Sequence, residues 1–173
     1  MNIFVLDEEI PACARAHCDQ HVIKMILESA QILCTALNLK GIRTPYRSTH
    51  VKHPCVVWAG ESYDNFRWLM SLALALNAEY RFRYKKTQDH KSIAVLKTLA
   101  GARFPRRGLT PFAQAMPEEY RVPGNAVAAY RAFYKGEKMG FATWTRRAPP
   151  RWLRSTGGSR GRARASRTRS RGY

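Results

Sequence analysis

The chain has 173 residues and a formal net charge of +18 at pH 7. That length is one domain's worth, enough for a real hydrophobic core without staples. No run of 18 apolar residues is present, which excludes a membrane-spanning helix. The opening MNIFVLDEEIP lacks the basic start and long apolar run of a signal peptide.

The charge is uneven. Residues 151–173 hold eight arginines and no acid, while residues 1–150 hold 22 basic and 12 acidic side chains and remain at +10. A body this basic repels itself unless a polyanion neutralises it, and nucleic acid is the commonest such partner. Cys13, Cys18, Cys34 and Cys55 form no CxxC pair, so zinc-ribbon spacing is absent. The first three fall in one expected helix, poor geometry for a disulfide framework, and a reducing cytoplasm fits best.

In chain order, residues 2–6 (NIFVL) predict a short strand or an extended buried arm. Pro11 suits a first helical position, and nothing interrupts a helix from there to Leu39, with Gly41 ending it. Apolar over most of its circumference, this long helix should be central. Residues 41–53 form a basic loop. A second helical region spans about Pro54 to Tyr84, with Trp58, Phe66, Leu69, Ala73, Leu76 and Tyr80 on one face and Gly60 as a point of division. A third helix is expected over 89–99. Residues 101–124 carry four prolines and three glycines and predict a long irregular segment of the kind that is often functional. A fourth helix is expected over 125–138, capped by Asn125. The expected fold is mainly α: a compact single-domain helical bundle over 1–153, with a long central N-terminal helix and a short extended arm. Residues 154–173 form an Arg/Ser/Gly-rich tail that cannot bury apolar surface and should be disordered when free. It is either a polyanion-binding tail or a segment foreign to the domain.

Within the long helix, His17, His21, Lys24, Glu28, Gln31 and Thr35 recur at alternating spacings of four and three, one helical face among apolar neighbours. Two readings stay open. The stripe is a solvated face, with Lys24 and Glu28 an i,i+4 pair worth a few tenths of a kcal/mol. Or it floors a cleft in which Glu28 stabilises a cation or activates water and Lys24 serves as an amine nucleophile. A metal held by His17 and His21 with Cys13 or Cys18 lacks a complete tetrahedral set, so no metal is expected. Arg47, His50 and His53 in the basic loop either line the same cleft or are ordinary solvated residues.

Towards the C-terminus, Tyr130, Arg131, Phe133, Tyr134, Lys135, Lys138, Trp144, Arg146 and Arg147 interleave aromatics with cations. That pattern suits phosphates plus stacking on bases, with the aromatics partly core and the cations outward.

The run DQHVIKMILE, Asp19 to Glu28, resembles the helix bearing the catalytic glutamate in phage pyrimidine-dimer DNA glycosylases of the endonuclease V type, in which a D-Q-H triplet precedes the glutamate by the same interval. YRAFYKGEK, Tyr130 to Lys138, is similar to that family's tyrosine-rich segment near DNA, and the helix around Phe66–Arg81 is a weaker third match. The chain also resembles proteins of large tailed phages. The resemblance implies an all-α monomer in the cytoplasm, of a bacterial host if the gene is a phage one, needing no cofactor. It implies binding of double-stranded DNA with a flipped nucleotide. It implies cleavage of the N-glycosidic bond of a damaged or modified pyrimidine, with AP-lyase activity when an amine is the nucleophile. Glu28 inherits the catalytic role, and Gln20 and His21 inherit DNA or site contacts. The chain differs in having Asn2 as its second residue and about five more residues before Asp19. The nucleophile is therefore open among an amine at Met1 or Asn2, Lys24, and a water activated by Glu28. The competing functions are a non-catalytic nucleic-acid-binding protein and a base-modifying transferase of a phage DNA-modification pathway. No P-loop or GxGxxG supports a nucleotide cofactor.

Overall fold

The computed structural model describes residues 1–154, so the predicted tail beyond Arg154 lies outside the described residues. It contains six α-helices: α1 (Ile10–Ala16), α2 (Asp19–Asn38), α3 (Pro54–Glu61), α4 (Tyr63–Tyr84), α5 (Ser92–Leu99) and α6 (Ala126–Glu137). Single 3-10 turns occupy Glu118–Tyr120 and Arg151–Leu153. The described residues include no strand; Ile3 to Leu6 form a buried arm that is not extended throughout, because Phe4 lies in the left-handed region at φ 38°. The fold is mainly α and single-domain, as expected.

Helix α2 is the axle. It packs on α3, α4 and α5, while α1 packs on α4. Its apolar positions Val22, Met25, Ile26, Ala30, Ile32, Leu33, Cys34 and Leu37 are in the core, whereas Ile23 and Leu27 join Gln20 and Lys24 on an exposed stripe along its first half.

The long N-terminal helix is broken, contrary to the sequence expectation. His17 and Cys18 adopt extended backbone, with ψ of 139° and 165°, so α1 ends at Ala16 and α2 begins at Asp19. The groups freed by the break are bonded from far along the chain. Arg83 donates to the carbonyls of Arg15 and His17, Trp144 Nε1 donates to Ala16, Cys18 N–H donates to the Tyr134 hydroxyl, and Asp19 N–H donates to Thr143. Each would otherwise be a buried unpaired group. His17 therefore does not share a helix face with Glu28.

Ser62, rather than Gly60, divides the second helical region. Its hydroxyl accepts from Asp64 N and caps α4, which ends on Lys85 in the left-handed region at φ 50°. Helix α3 starts with Pro54 at its first position, and His53 Nδ1 accepts from Cys55 N. The third helix begins at Ser92, three residues later than expected. Asn125 caps α6 by accepting from Ala128 N. No helix among the described residues is long and apolar enough to cross a membrane.

Candidate functional site

The N-terminal arm crosses the middle of α2 and ends on Glu28. Asn2 N–H donates to Glu28 Oε2 at 2.8 Å, and the Met1 α-amine lies 3.9 Å from the same oxygen. Lys24 Nζ stands 3.7 Å from Glu28 Oε1. The two amines differ in setting: the Lys24 side chain is 66% exposed, whereas Met1 is half-buried with its side chain packed inward. Glu28 itself is buried, so the solvated-face reading does not hold for it. A carboxylate this enclosed must be paired, and the arm supplies the partners.

Asn2 is a hub that sequence reasoning missed. Its Oδ1 accepts from the Tyr130 hydroxyl at 2.8 Å and from Ile3 N at 2.8 Å, and its Nδ2 donates to the Ala115 carbonyl. Cys55 Sγ is 3.9 Å from Asn2 Oδ1, and burial pushes this thiol up to about 12. The only available signal was a polar residue heading an otherwise apolar arm.

His53 faces the arm from α3. Burial first, then the positive α-amine and His50, hold it below the ordinary histidine value, against Glu28 and a hydrogen bond with the Met1 backbone. His21 lies two turns before Glu28, its ring stacked 4.5 Å from Phe4, with Nδ1 2.6 Å from the Tyr134 hydroxyl. Burial chiefly, with His17, Lys138 and Lys24 adding to it, pushes His21 down to about 3. Lys138 sits over the Phe133 ring at 4.5 Å, and Phe133 stacks on Phe4. Arm, α2 and α6 thus meet around a buried carboxylate, an α-amine, a neutral imidazole and two lysines.

No family model, curated protein or solved structure matches this chain. The chemistry of the site therefore rests on its own geometry.

The other sequence candidates divide clearly. Gln20 is exposed and donates to the Phe141 carbonyl, fixing the segment after α6 beside His21. Arg47, His50 and Lys135 are exposed. Tyr130 and Tyr134 are fully buried and organise the site from behind, so in this arrangement neither can touch DNA. Arg131 is taken up by Asp7 and the Leu6 carbonyl and holds the arm. Arg147 pairs with Glu79 at 2.7 Å, and Arg146, exposed, donates to the Phe82 carbonyl.

Behind the site lies an ion cluster with no sequence signature. Arg83, fully buried, contacts Asp19 at 3.1 Å and Glu79 at 3.0 Å. Burial alone would raise the Asp19 carboxyl. Hydrogen bonds from the Thr145 backbone and hydroxyl, from Thr143 and from Arg83 outweigh it and hold Asp19 below the ordinary value. Asp19 thereby fastens residues 143–145 to the start of α2. Among the described residues no group of three or more His, Cys, Asp or Glu side chains is arranged to hold a metal.

Proposed function

We propose that the protein binds DNA and excises a damaged or modified pyrimidine by cleaving its N-glycosidic bond, with an α-amine beside Glu28 as nucleophile. The observation that carries this reading is the enclosed pairing of the arm's backbone nitrogens with Glu28 Oε2, at 2.8 Å for Asn2 and 3.9 Å for Met1. Both nitrogens are in reach, so the chemistry survives loss of Met1: the Asn2 nitrogen, then an amine, already touches the carboxylate. Lys24 is the lesser candidate because its side chain stands in solvent. Lysine amines are also ordinarily more basic than α-amines by over two pH units.

In the proposed reaction the unprotonated amine bonds to the sugar C1′ as the C1′–N bond breaks. The bonding pair leaves with the base, which takes up a proton. Glu28 stabilises the positive charge that develops on the sugar, takes a proton from the attacking nitrogen and returns it to the ring oxygen O4′ as the C1′–O4′ bond breaks and the C1′=N Schiff base forms. Hydrolysis of that Schiff base, directly or after β-elimination has expelled the 3′ phosphate, releases the enzyme. The +10 body charge supplies sequence-independent affinity for the phosphates.

Base release from duplexes carrying damaged or modified pyrimidines tests this reading. Glu28→Gln should lower turnover about 10²–10⁴-fold while duplex affinity persists. Full activity in Glu28→Gln excludes it. A second reading has its own observation: both Glu28 oxygens are already engaged by Asn2, Met1 and Lys24, as in a clamp that merely fastens the arm. On that reading the protein binds nucleic acid without turnover.

A further inference from the structure

His21 is buried, stacked, and open at one atom. The residue is 7% exposed and its ring lies against Phe4, with edge contacts to Tyr134 and Phe141 at 5.2 and 5.7 Å. Its Nδ1 meets the Tyr134 hydroxyl at 2.6 Å, and the same hydroxyl oxygen accepts from Cys18 N–H at 3.1 Å.

The single hydroxyl proton of Tyr134 has two acceptors, His21 Nδ1 at 2.6 Å and Cys18 Sγ at 3.5 Å. Sulfur is a weak acceptor and the nitrogen is far closer, so the proton is directed to His21. Nδ1 then carries a lone pair and the imidazole proton sits on Nε2. Among the described residues, the fully buried side-chain N or O atom without a partner is His17 Nε2. Among the described residues His21 Nε2 has no hydrogen-bond partner, and it is not one of the fully buried atoms. His17 is the opposite case: its Nδ1 meets the Cys13 carbonyl at 2.8 Å, which puts the proton on Nδ1 and leaves Nε2 as the lone-pair atom.

The charged groups acting on His21 favour the same state. Lys24 on α2 and Lys138 just past α6 are positive, and His17 is its titratable neighbour from the α1–α2 junction. The arm contributes Phe4, and the segment after α6 contributes Phe141. An imidazolium here would be desolvated beside two cations.

We infer that Tyr134 is a positioning residue that fixes His21 as a neutral Nε2–H donor, and that this donor takes an acceptor oxygen of bound DNA, from a phosphate or a base carbonyl. The DNA role rests on the function proposed above; the tautomer does not.

Nitrogen-15 NMR of the full chain tests the tautomer directly. The inference expects a protonated Nε2 and a bare Nδ1 at His21, unchanged from pH 8 to pH 5. A proton on Nδ1, or titration near pH 6.5, overturns it. Tyr134→Phe should admit the other tautomer and weaken duplex binding about tenfold, the size of one misplaced hydrogen bond. In a His21→Ala background Tyr134→Phe should add nothing, whereas an equal loss in both backgrounds makes Tyr134 merely structural and overturns the positioning role.

Two duplexes then separate the acceptors. One carries a tetrahydrofuran abasic nucleotide and the other an intact base. A His21 Nε2–H shift with both duplexes assigns a phosphate, and a shift with only the base-bearing one assigns a carbonyl. Binding of both with no change at His21 overturns the DNA role. Failure of the wild type to bind either duplex overturns that role together with the proposed function, while the tautomer stands or falls on the NMR alone.

Discussion

Asn2 is bound to Glu28 through its backbone and to Tyr130 through its side chain. The amide N–H donates to Glu28 Oε2 at 2.8 Å while the side-chain Oδ1 accepts the Tyr130 hydroxyl at 2.8 Å. One residue thus ties the Glu28 carboxylate on α2 to the core face of α6, and the Met1 amine is placed as a consequence. The Ala113 carbonyl, 2.7 Å away, competes with Asn2 for the single Tyr130 hydroxyl proton, and Ala115 N–H donates to the same hydroxyl, so the irregular segment is tied to the same point.

Tyr130→Phe removes that tie without changing the ring. It leaves buried polar groups of Asn2 and residues 113–115 short of a partner, and should cost about 1–3 kcal/mol of stability. Urea unfolding measures that loss. On the proposed function, turnover should fall further than the folded fraction does, because the amine loses its placement. A loss of activity that merely tracks the folded fraction would argue against this coupling.

Arg83 is the second tie. Its guanidinium satisfies the carbonyls of Arg15 and His17 and pairs with Asp19 and Glu79 in a fully buried setting. Arg83→Met strands two carbonyls and takes the buried counter-charge from two carboxylates, which keep Arg147 on Glu79 and Thr143 and Thr145 on Asp19, and should destabilise the fold by about 3–5 kcal/mol. Thermal unfolding should show a large drop, with α1 the first element to lose amide protection. A midpoint within a degree or two of the wild type contradicts the cluster's structural role.

Acid should weaken the fold well before carboxylates protonate. Burial pushes His17 down to about 4 and His21 down to about 3. An unfolded histidine titrates near 6.5. Below that pH the unfolded chain binds protons that the folded chain refuses, so stability falls as pH falls, from about 6.5 toward the folded values. The limiting slope is about 1.4 kcal/mol per pH unit for each histidine. Asp19, held below its ordinary value, adds to the loss only below about pH 4. Urea midpoints at pH 7.5, 6 and 5 should decline in that order; a flat profile over this range would show that neither histidine is buried in its neutral form.

Lys24 and Lys138 flank the site as its nearest lysines. Replacing each by Ala should weaken duplex binding evenly across sequences and reduce the slope of log affinity against log salt by about one per lysine. An unchanged slope in the double variant places the DNA elsewhere on the surface.

The sequence made Glu28 legible because spacing alone marks a helical face, and an ionisable residue among Ile, Met and Leu asks for a partner. Helix α6 was legible too, because Asn125 is a local cap. The break at His17–Cys18 was not. It carries no proline or glycine, and its freed groups are satisfied by Arg83, Tyr134, Thr143 and Trp144, which only the folded chain brings near. Asn2 was passed over for the same reason: its partners Tyr130 and Ala115 lie more than a hundred residues away. Tyr130 and Tyr134 show the limit of reading aromatics beside cations as a binding face. Lys135 and Arg146 turn outward, Arg131 and Arg147 are held by Asp7 and Glu79, and these two rings are core, with their hydroxyls doing the organising.

The central claim is that an α-amine at the start of the arm works with Glu28. Borohydride reduction in the presence of a duplex bearing an abasic site would capture a Schiff base between that amine and the sugar, and mass spectrometry of the digested adduct would locate it. The account predicts a covalent adduct on the first peptide, through the nitrogen of Met1 or of Asn2 in whichever form the intact mass shows, and its loss in Glu28→Gln. Base release with no trapped adduct, or an adduct on Lys24, contradicts it.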